Sequence, residues 1–230
     1  ALHEPSQPTI IRLPGLETDG ATNFDGKLKH PFTAHPKVDQ KSGEMMTFGY
    51  AFQPPYVSYS VINAAGELIH STPITIEKPV FMHDFAVTEK YSLFLDFPIT
   101  LDIERAMAGG PALGFEPEHG SRIGVVPRFG TDSDVRWFEV ETGSVVHTAN
   151  AWDEGDEVVL QASRSKTSDI ANAGLGADNL QETQGQLYEW RINLISGAVT
   201  ERTLSPARCD FTRVNDGYVC HKTRFVYGAV

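Results

Sequence analysis

Two cysteines in 230 residues, Cys209 and Cys220, are too few for a disulfide framework or a four-cysteine zinc site. Their plain reading is a pair of free, buried thiols in a reducing compartment. Basic charge is also short. Nineteen Lys and Arg stand against 30 Asp and Glu, a formal net charge of −11. Nucleic acid is therefore a poor partner, because phosphate contacts need a basic face. No apolar run approaches the roughly 18–20 residues that a membrane-spanning helix takes. Interfacial membrane contact needs only a small apolar patch and stays open. GxSxG, GxxxxGK[ST] and GxGxxG are all missing, so the chain offers no nucleophile elbow and no phosphate cradle. HExxH, HxH and Cys/His clusters are missing too, so no local zinc signature is present.

What the chain has in quantity is strand. Short β-type runs follow one another with turn residues between them: "EMMTFGYAF", "YVSYSVINAAGELI", "STPITIE", "SLFLDFPIT", "SRIGVVPRF", "VRWFEVETGSVVHTA", "DEVVLQASRS", "QLYEWRINLISGAVTERTL", "DGYVCHKT" and "RFVYGAV". "INAAGELI" and "INLISGAVTER" place Gly between alternating apolar residues and predict hairpins. Strands at about ten-residue spacing with little helical periodicity predict an all-β fold. "TLDIERAMAGGPALG" is the one helix candidate, with Leu101, Ile103, Ala106 and Met107 apolar and a double-Gly stop. The polar, Gly-rich stretch from Ser165 to Gln186 predicts a long surface loop. The chain opens at Ala1 and ends at "RFVYGAV" inside an apparent strand, so it reads as an internal piece of something longer.

Three of the eight histidines, His35, His83 and His147, sit in similar apolar-flanked stretches. The intervals are 48 and 64 residues. A four-stranded propeller blade takes about 40–50 residues, so each interval suits one blade, the second carrying an insertion. A radial fold brings the equivalent strand of every blade to a common axis. Taken singly, a histidine in such a context is more often a hydrogen-bonded structural residue. Spacing alone leaves a joint metal site and three separate structural roles equally open.

"FTAHPKVDQKSGEM", "MHDFAVTEKY", "RIGVVPR", "HTANAWDEGDEVV" and "CDFTRVNDGYVCHKTRFVYG" occur in the order and spacing of the carotenoid cleavage oxygenase family, which the chain resembles over almost its whole length. That family holds plant carotenoid and epoxycarotenoid dioxygenases, bacterial stilbene and apocarotenoid cleavers, and the vertebrate retinoid isomerase. The resemblance implies part of a seven-bladed β-propeller with one non-haem Fe(2+) on the axis, residues 1–230 forming the central portion of one such domain with both termini missing. His35, His83 and His147 fall on three of the family's four iron-ligating histidines, the fourth lying past residue 230. Glu4 and Asp210 fall on two of the three acids that fix the ligand imidazoles, Asp210 being one methylene shorter than the usual Glu. His3, His30, His70, His119 and His221 match no ligand motif and are assigned to surface or structural roles.

The implied reaction is cleavage by O2 of a conjugated C=C bond in a carotenoid or apocarotenoid, giving two carbonyl products. Neutral imidazoles leave iron its full charge and open positions, and each needs its other ring nitrogen tied to an acceptor. The stretch from Phe48 to Pro98 most resembles carotenoid 9,10(9′,10′)-cleavage dioxygenases. Stilbene cleavers place Lys directly before the first of the acids; here that residue is His3, which disfavours the stilbene alternative. An inactive propeller serving as an interaction module is the second alternative. Phe32, Phe81, Phe85, Phe94, Trp137 and Trp152 are candidates to line a polyene tunnel, although such aromatics are more often core. Family members occur in the cytosol and in plastids, and the reading favours the cytoplasm.

Overall fold

A computed structural model describes residues 1–4, 6–168 and 184–230. Most of the loop expected after Ser165 lies at 169–183, outside the described residues. The chain is all-β, with 49% of residues in strands and 7% helical.

A hairpin of β1 (Thr9–Arg12) and β2 (Glu17–Ala21) precedes three antiparallel four-stranded sheets. The first sheet runs in chain order through β3 (Lys37–Val38), β4 (Met45–Tyr50), β5 (Val57–Ile62) and β6 (Leu68–Ile74). The second begins with β7 (Ala86–Val87) and β8 (Tyr91–Asp96). It is interrupted by β9 (Ile99–Leu101), α1 (Ile103–Met107) and β10 (Leu113–Phe115), then resumes with β11 (Ser121–Pro127) and β12 (Arg136–Val140). This insertion accounts for the longer interval from His83 to His147. The third sheet comprises β13 (Ser144–Glu154), β14 (Glu157–Ser165), β15 (Gln186–Asn193) and β16 (Val199–Arg208). A closing pair, β17 (Asp210–Arg213) and β18 (Tyr227–Ala229), follows. Among the described residues no sheet closes on itself.

The two expected hairpin turns use one device. Asn63 Oδ1 accepts from the N–H groups of Ala65 and Glu67, and Asn193 Oδ1 accepts from those of Ile195 and Ser196. Gly66 and Gly197 then take φ of 81° and 77°, a region that costs glycine no Cβ clash.

Strand alternation explains the packing. On β8, Leu93 and Leu95 face the third sheet, whereas Phe94 between them faces the first. On β11, Ile123 and Val125 join Leu93 and Leu95 while Val126 joins Phe94. The middle sheet is thus apolar on both faces and wedged between its neighbours. Phe48, Tyr59 and Ile74 cover one face; Val158, Leu160 and Trp190 cover the other. Fully burying each such side chain contributes about 1.5–3 kcal/mol.

Two expectations are corrected. The helix candidate yields only the five residues of α1, capped by Asp102, whose side chain accepts from Arg105 N; none of them is buried, and Leu101 belongs to β9 instead. "DGYVCHKT" is not a strand. Asn215 accepts from Gly217 N and starts a single 3-10 turn, Asp216–Tyr218. The Asn150 amide then donates to the carbonyls of Tyr218 and His221, and its carbonyl accepts from Cys220 N. These side-chain bonds satisfy the backbone that a ladder would otherwise pair.

Candidate metal centre

Each of the three sheets brings one histidine through its first strand. His35 lies two residues before β3, His83 three before β7, and His147 inside β13. Pro36 removes a backbone donor directly after His35, and the His35 N–H turns instead to Thr33 Oγ1 at 3.0 Å. The β13–β14 register shifts between Val145 and Thr148 and again before Asn150, so His147 sits on a bulge that re-aims its side chain.

The three side chains converge. One ring nitrogen of each lies within 4.8 Å of the other two, and the His35 and His83 Nε2 atoms are 2.8 Å apart. Ring centroids are separated by 4.5, 5.2 and 5.1 Å. His147 is buried and the other two are half-buried. Two cis nitrogens held about 2.1 Å from one metal stand about 3 Å apart, close to the His35–His83 separation.

Carboxylates stand on the far side of two rings. Glu4 Oε2 lies 3.1 Å from His83 Nδ1, and Asp210 Oδ1 lies 3.1 Å from His147 Nδ1. A carboxylate at Nδ1 keeps the proton there and leaves the Nε2 lone pair to face the cluster. Glu4 therefore serves His83 rather than His35, and the shorter Asp210 reaches its partner at the same distance. No carboxylate hydrogen-bonds to the His35 ring among the described residues. Burial lowers the His35 pKa, with Asp84 opposing it. At His83 burial also lowers the pKa, but the hydrogen bond and charge of Glu4 outweigh it, and the net shift is upward.

Several residues at this site were not singled out from the sequence. Asp84 is buried beside His83 and gathers Lys37 Nζ at 2.7 Å, Phe85 N at 2.8 Å, and Thr148 N and Oγ1 at 2.8 and 2.9 Å. Burial would raise its pKa, yet the Lys37 charge and hydrogen bond hold it below the usual carboxylate range. Tyr50 donates to Glu4 Oε2 at 3.0 Å. Phe211, at φ 50°, lays its ring against His147 with centroids 4.5 Å apart. A cavity of about 390 Å³ opens beside His35 and His147, walled in part by Lys37, Asp84, Thr148 and Phe211. The sequence signal for Asp84, Thr148 and Phe211 was adjacency to a histidine or acid already noted, and for Lys37 a place two residues from His35; Tyr50, 46 residues from Glu4, had none.

Among the tunnel candidates, Phe81 stacks on His83 with centroids 5.5 Å apart. Phe32, Phe85, Phe94 and Trp152 are buried core, and Trp137 packs beneath the Arg122 guanidinium. The remaining histidines have local duties. His30 bridges Pro31 O and Ser60 Oγ, His70 reaches Gly130 O, and His119 pairs with Asp96. His221 lies between Asp39 and Glu89, and His3 is exposed. Cys209 and Cys220 are free thiols.

Three neutral imidazole nitrogens without thiolate or carboxylate donors suit iron, zinc, copper or nickel, not magnesium or calcium. Residues 1–230 match the family described as retinal pigment epithelial membrane protein, and the chain belongs to it. This is the carotenoid oxygenase family that the motifs resemble. The chain is 42% identical to a carotenoid 9,10(9′,10′)-cleavage dioxygenase of Crocus sativus, covering all of this chain and 43% of the relative. It is 40% identical to carotenoid 9,10(9′,10′)-cleavage dioxygenase 1 of Arabidopsis thaliana, with 44% of that protein covered. The lignostilbene dioxygenase of Pseudomonas brassicacearum superposes with a TM-score of 0.89 at 31% identity, over 99% of this chain and 49% of that one. A cobalt-substituted Synechocystis ACO superposes with a TM-score of 0.84 at 26% identity, over 99% and 50%. The chain thus spans half or less of the length of each of these four proteins.

Proposed function

We propose that the full-length protein carrying this chain is a non-haem Fe(2+)-dependent dioxygenase that cleaves a conjugated C=C bond of a carotenoid or apocarotenoid into two carbonyl products. The observation that carries the proposal is the meeting of His35, His83 and His147, from three separate sheets, at one point. The printed activities of the Crocus and Arabidopsis relatives supply the substrate class. In this reading the three sheets are successive blades of a seven-bladed propeller, and residues 1–230 are its central portion. A fourth histidine and a third acid come from beyond residue 230.

The three Nε2 atoms would hold the iron, which when bound supplies the site of O2 activation. Glu4 and Asp210 each hold a proton on Nδ1 of their histidine and so keep Nε2 an acceptor of metal rather than of hydrogen. Phe81 and Phe211 place apolar surface against the outer faces of His83 and His147. Apolar walls suit an uncharged polyene, which needs no general acid or base.

The fit to a lignostilbene dioxygenase favours one second reading, a stilbene-type cleavage on the same scaffold. His3 in the place of the phenol-binding Lys speaks against it. The cytoplasm is the first reading of location; a rice relative named chloroplastic, 34% identical, supports the plastid. The test is iron analysis of the full-length protein, followed by incubation under O2 with a C40 carotenoid and, separately, a 4-hydroxystilbene. Stoichiometric iron and cleavage of the polyene are expected. Preferential cleavage of the stilbene moves the assignment to the second reading, and absence of iron refutes both.

A further inference from the structure

We infer that Asp84 is a positioning residue that, through Lys37 and Thr148, sets the mutual spacing of the three cluster histidines. The inference rests on the metal-centre reading above and adds a device to it. Asp84 directly follows His83, Thr148 directly follows His147, and Lys37 is two residues past His35. The tie therefore joins all three histidine-bearing segments at points one or two residues from the rings. The buried carboxylate lines the same cavity as His35 and His147, and its bonds run to the backbone and side chains next to the histidines rather than to the rings themselves.

The geometry is close to saturated. Oδ1 receives Lys37 Nζ at 2.7 Å and Phe85 N at 2.8 Å; Oδ2 receives Thr148 N at 2.8 Å and Thr148 Oγ1 at 2.9 Å. A carboxylate has about four acceptor sites, and here four donors fill them. Thr148 Oγ1 also lies 2.9 Å from Phe85 O, so its single proton is shared between that carbonyl and Asp84 Oδ2, both on the segment that leads into the second sheet. The Asp84 side chain is 2% exposed and Lys37 19%. A buried ion pair is weak support for net stability and is better explained where it fixes one arrangement.

His35 shows why the arrangement matters. His83 has Glu4 and His147 has Asp210, whereas no carboxylate reaches the His35 ring among the described residues. Its placement rests on its backbone, held at Thr33 Oγ1 on one side and by Lys37 on the other. Thr33 Oγ1 itself lies 3.5 Å from the His83 carbonyl. Loosening the tie thus frees His35 most, and an imidazole that wanders by a fraction of an ångström binds metal less tightly.

The test uses the full-length protein stripped of metal and titrated with Co2+, read by calorimetry and by visible ligand-field absorption. Two variants are compared with the parent. Lys37→Met with Asp84→Asn removes both charges while keeping volume, and Thr148→Val removes only the hydroxyl. Loss of such outer contacts typically weakens metal binding by about 10- to 100-fold, the result expected for the double variant. For Thr148→Val, which keeps the backbone donor, a loss of about 3- to 10-fold is expected. In both, the Co2+ bands shift, a change that a purely structural role would not produce, and a third, charge-keeping variant, Lys37→Arg, leaves them at the parental positions. A folded Thr148→Val protein with parental affinity and band positions overturns the inference, whether or not the double variant folds. A parent that takes up no Co2+ overturns the metal-centre reading instead.

Discussion

Replacing Glu4 by Ala in the full-length protein weakens metal binding without touching a residue that reaches the metal position. Glu4 Oε2 lies 3.1 Å from His83 Nδ1, and the side chain is 14% exposed. A hydrogen bond to a charged group contributes about 1.5–3 kcal/mol, and each 1.4 kcal/mol is about tenfold in an equilibrium constant. The expected loss is therefore about 10- to 100-fold, the range found generally for partners of ligating histidines. Glu4→Gln keeps an acceptor oxygen and loses only the charge, so about half of the effect survives, a loss of about 3- to 10-fold. Tyr50→Phe removes the other donor to Oε2 but leaves the His83 contact in place, and its effect stays below about threefold. Calorimetric titration of metal-free protein with Co2+ measures all three. Affinity of the Ala variant within twofold of the parent would refute the argument that Glu4 fixes the tautomer and direction of His83.

Cys220 is 1% exposed and burial pushes its thiol up to about 12. Its thiolate fraction at pH 8 is then about 10⁻⁴, so Cys209, half-buried, is alkylated first. Peptide mapping after brief iodoacetamide treatment checks the order, and equal labelling of the two would contradict it. Arg128 is buried with Nη1 at 3.1 Å from Asp39 and 2.7 Å from Glu44. Arg128→Met strands those acids and costs about 3–5 kcal/mol at pH 7, seen as a lower Tm. Burial would raise the Asp39 pKa, but the Lys41 N–H and Arg128 hold it below the usual carboxylate range. A depressed folded-state pKa stabilises above the unfolded value of about 3.9 and is lost as pH falls through the folded one. The Tm gap between parent and variant should accordingly narrow below about pH 4; a gap independent of pH would remove Asp39 from the account.

The strands were readable because their residues alternate and their turns carry Asn and Gly, as at Asn63–Gly66 and Asn193–Gly197. "DGYVCHKT" misled because its apolar spacing mimics a strand, while its backbone is satisfied by the side chains of Asn215 and Asn150. No local pattern announces a partner 68–71 residues away. The helix candidate shortened to the five residues of α1 for a related reason: Leu101 pairs in β9, which leaves Ile103 and Met107 with no core to face. The histidines were readable by spacing and context, and the resemblance decided between the two readings that spacing left open. Which acid would serve which histidine was not readable, since Glu4 is nearer in sequence to His35 and yet bonds His83. Asp84 and Lys37 sat inside quoted motifs without a role, because an ion pair between sheets leaves no trace in either strand's own pattern. Phe211 was hidden by its left-handed backbone, which turns it onto His147.

The acids that orient two of the imidazoles come from opposite ends of the chain: Glu4 is 79 residues before His83, and Asp210 is 63 after His147. During synthesis, then, the ribosome releases all three imidazoles well before the last of these acids. The nascent polypeptide holds a set of loose nitrogen donors long before it holds an oriented cage, and loop closure over such distances is slow beside hairpin formation. Under the metal-centre reading, His147 gains its orienting carboxylate only after 63 further residues are made, so a cation that needs oriented donors is held late rather than early.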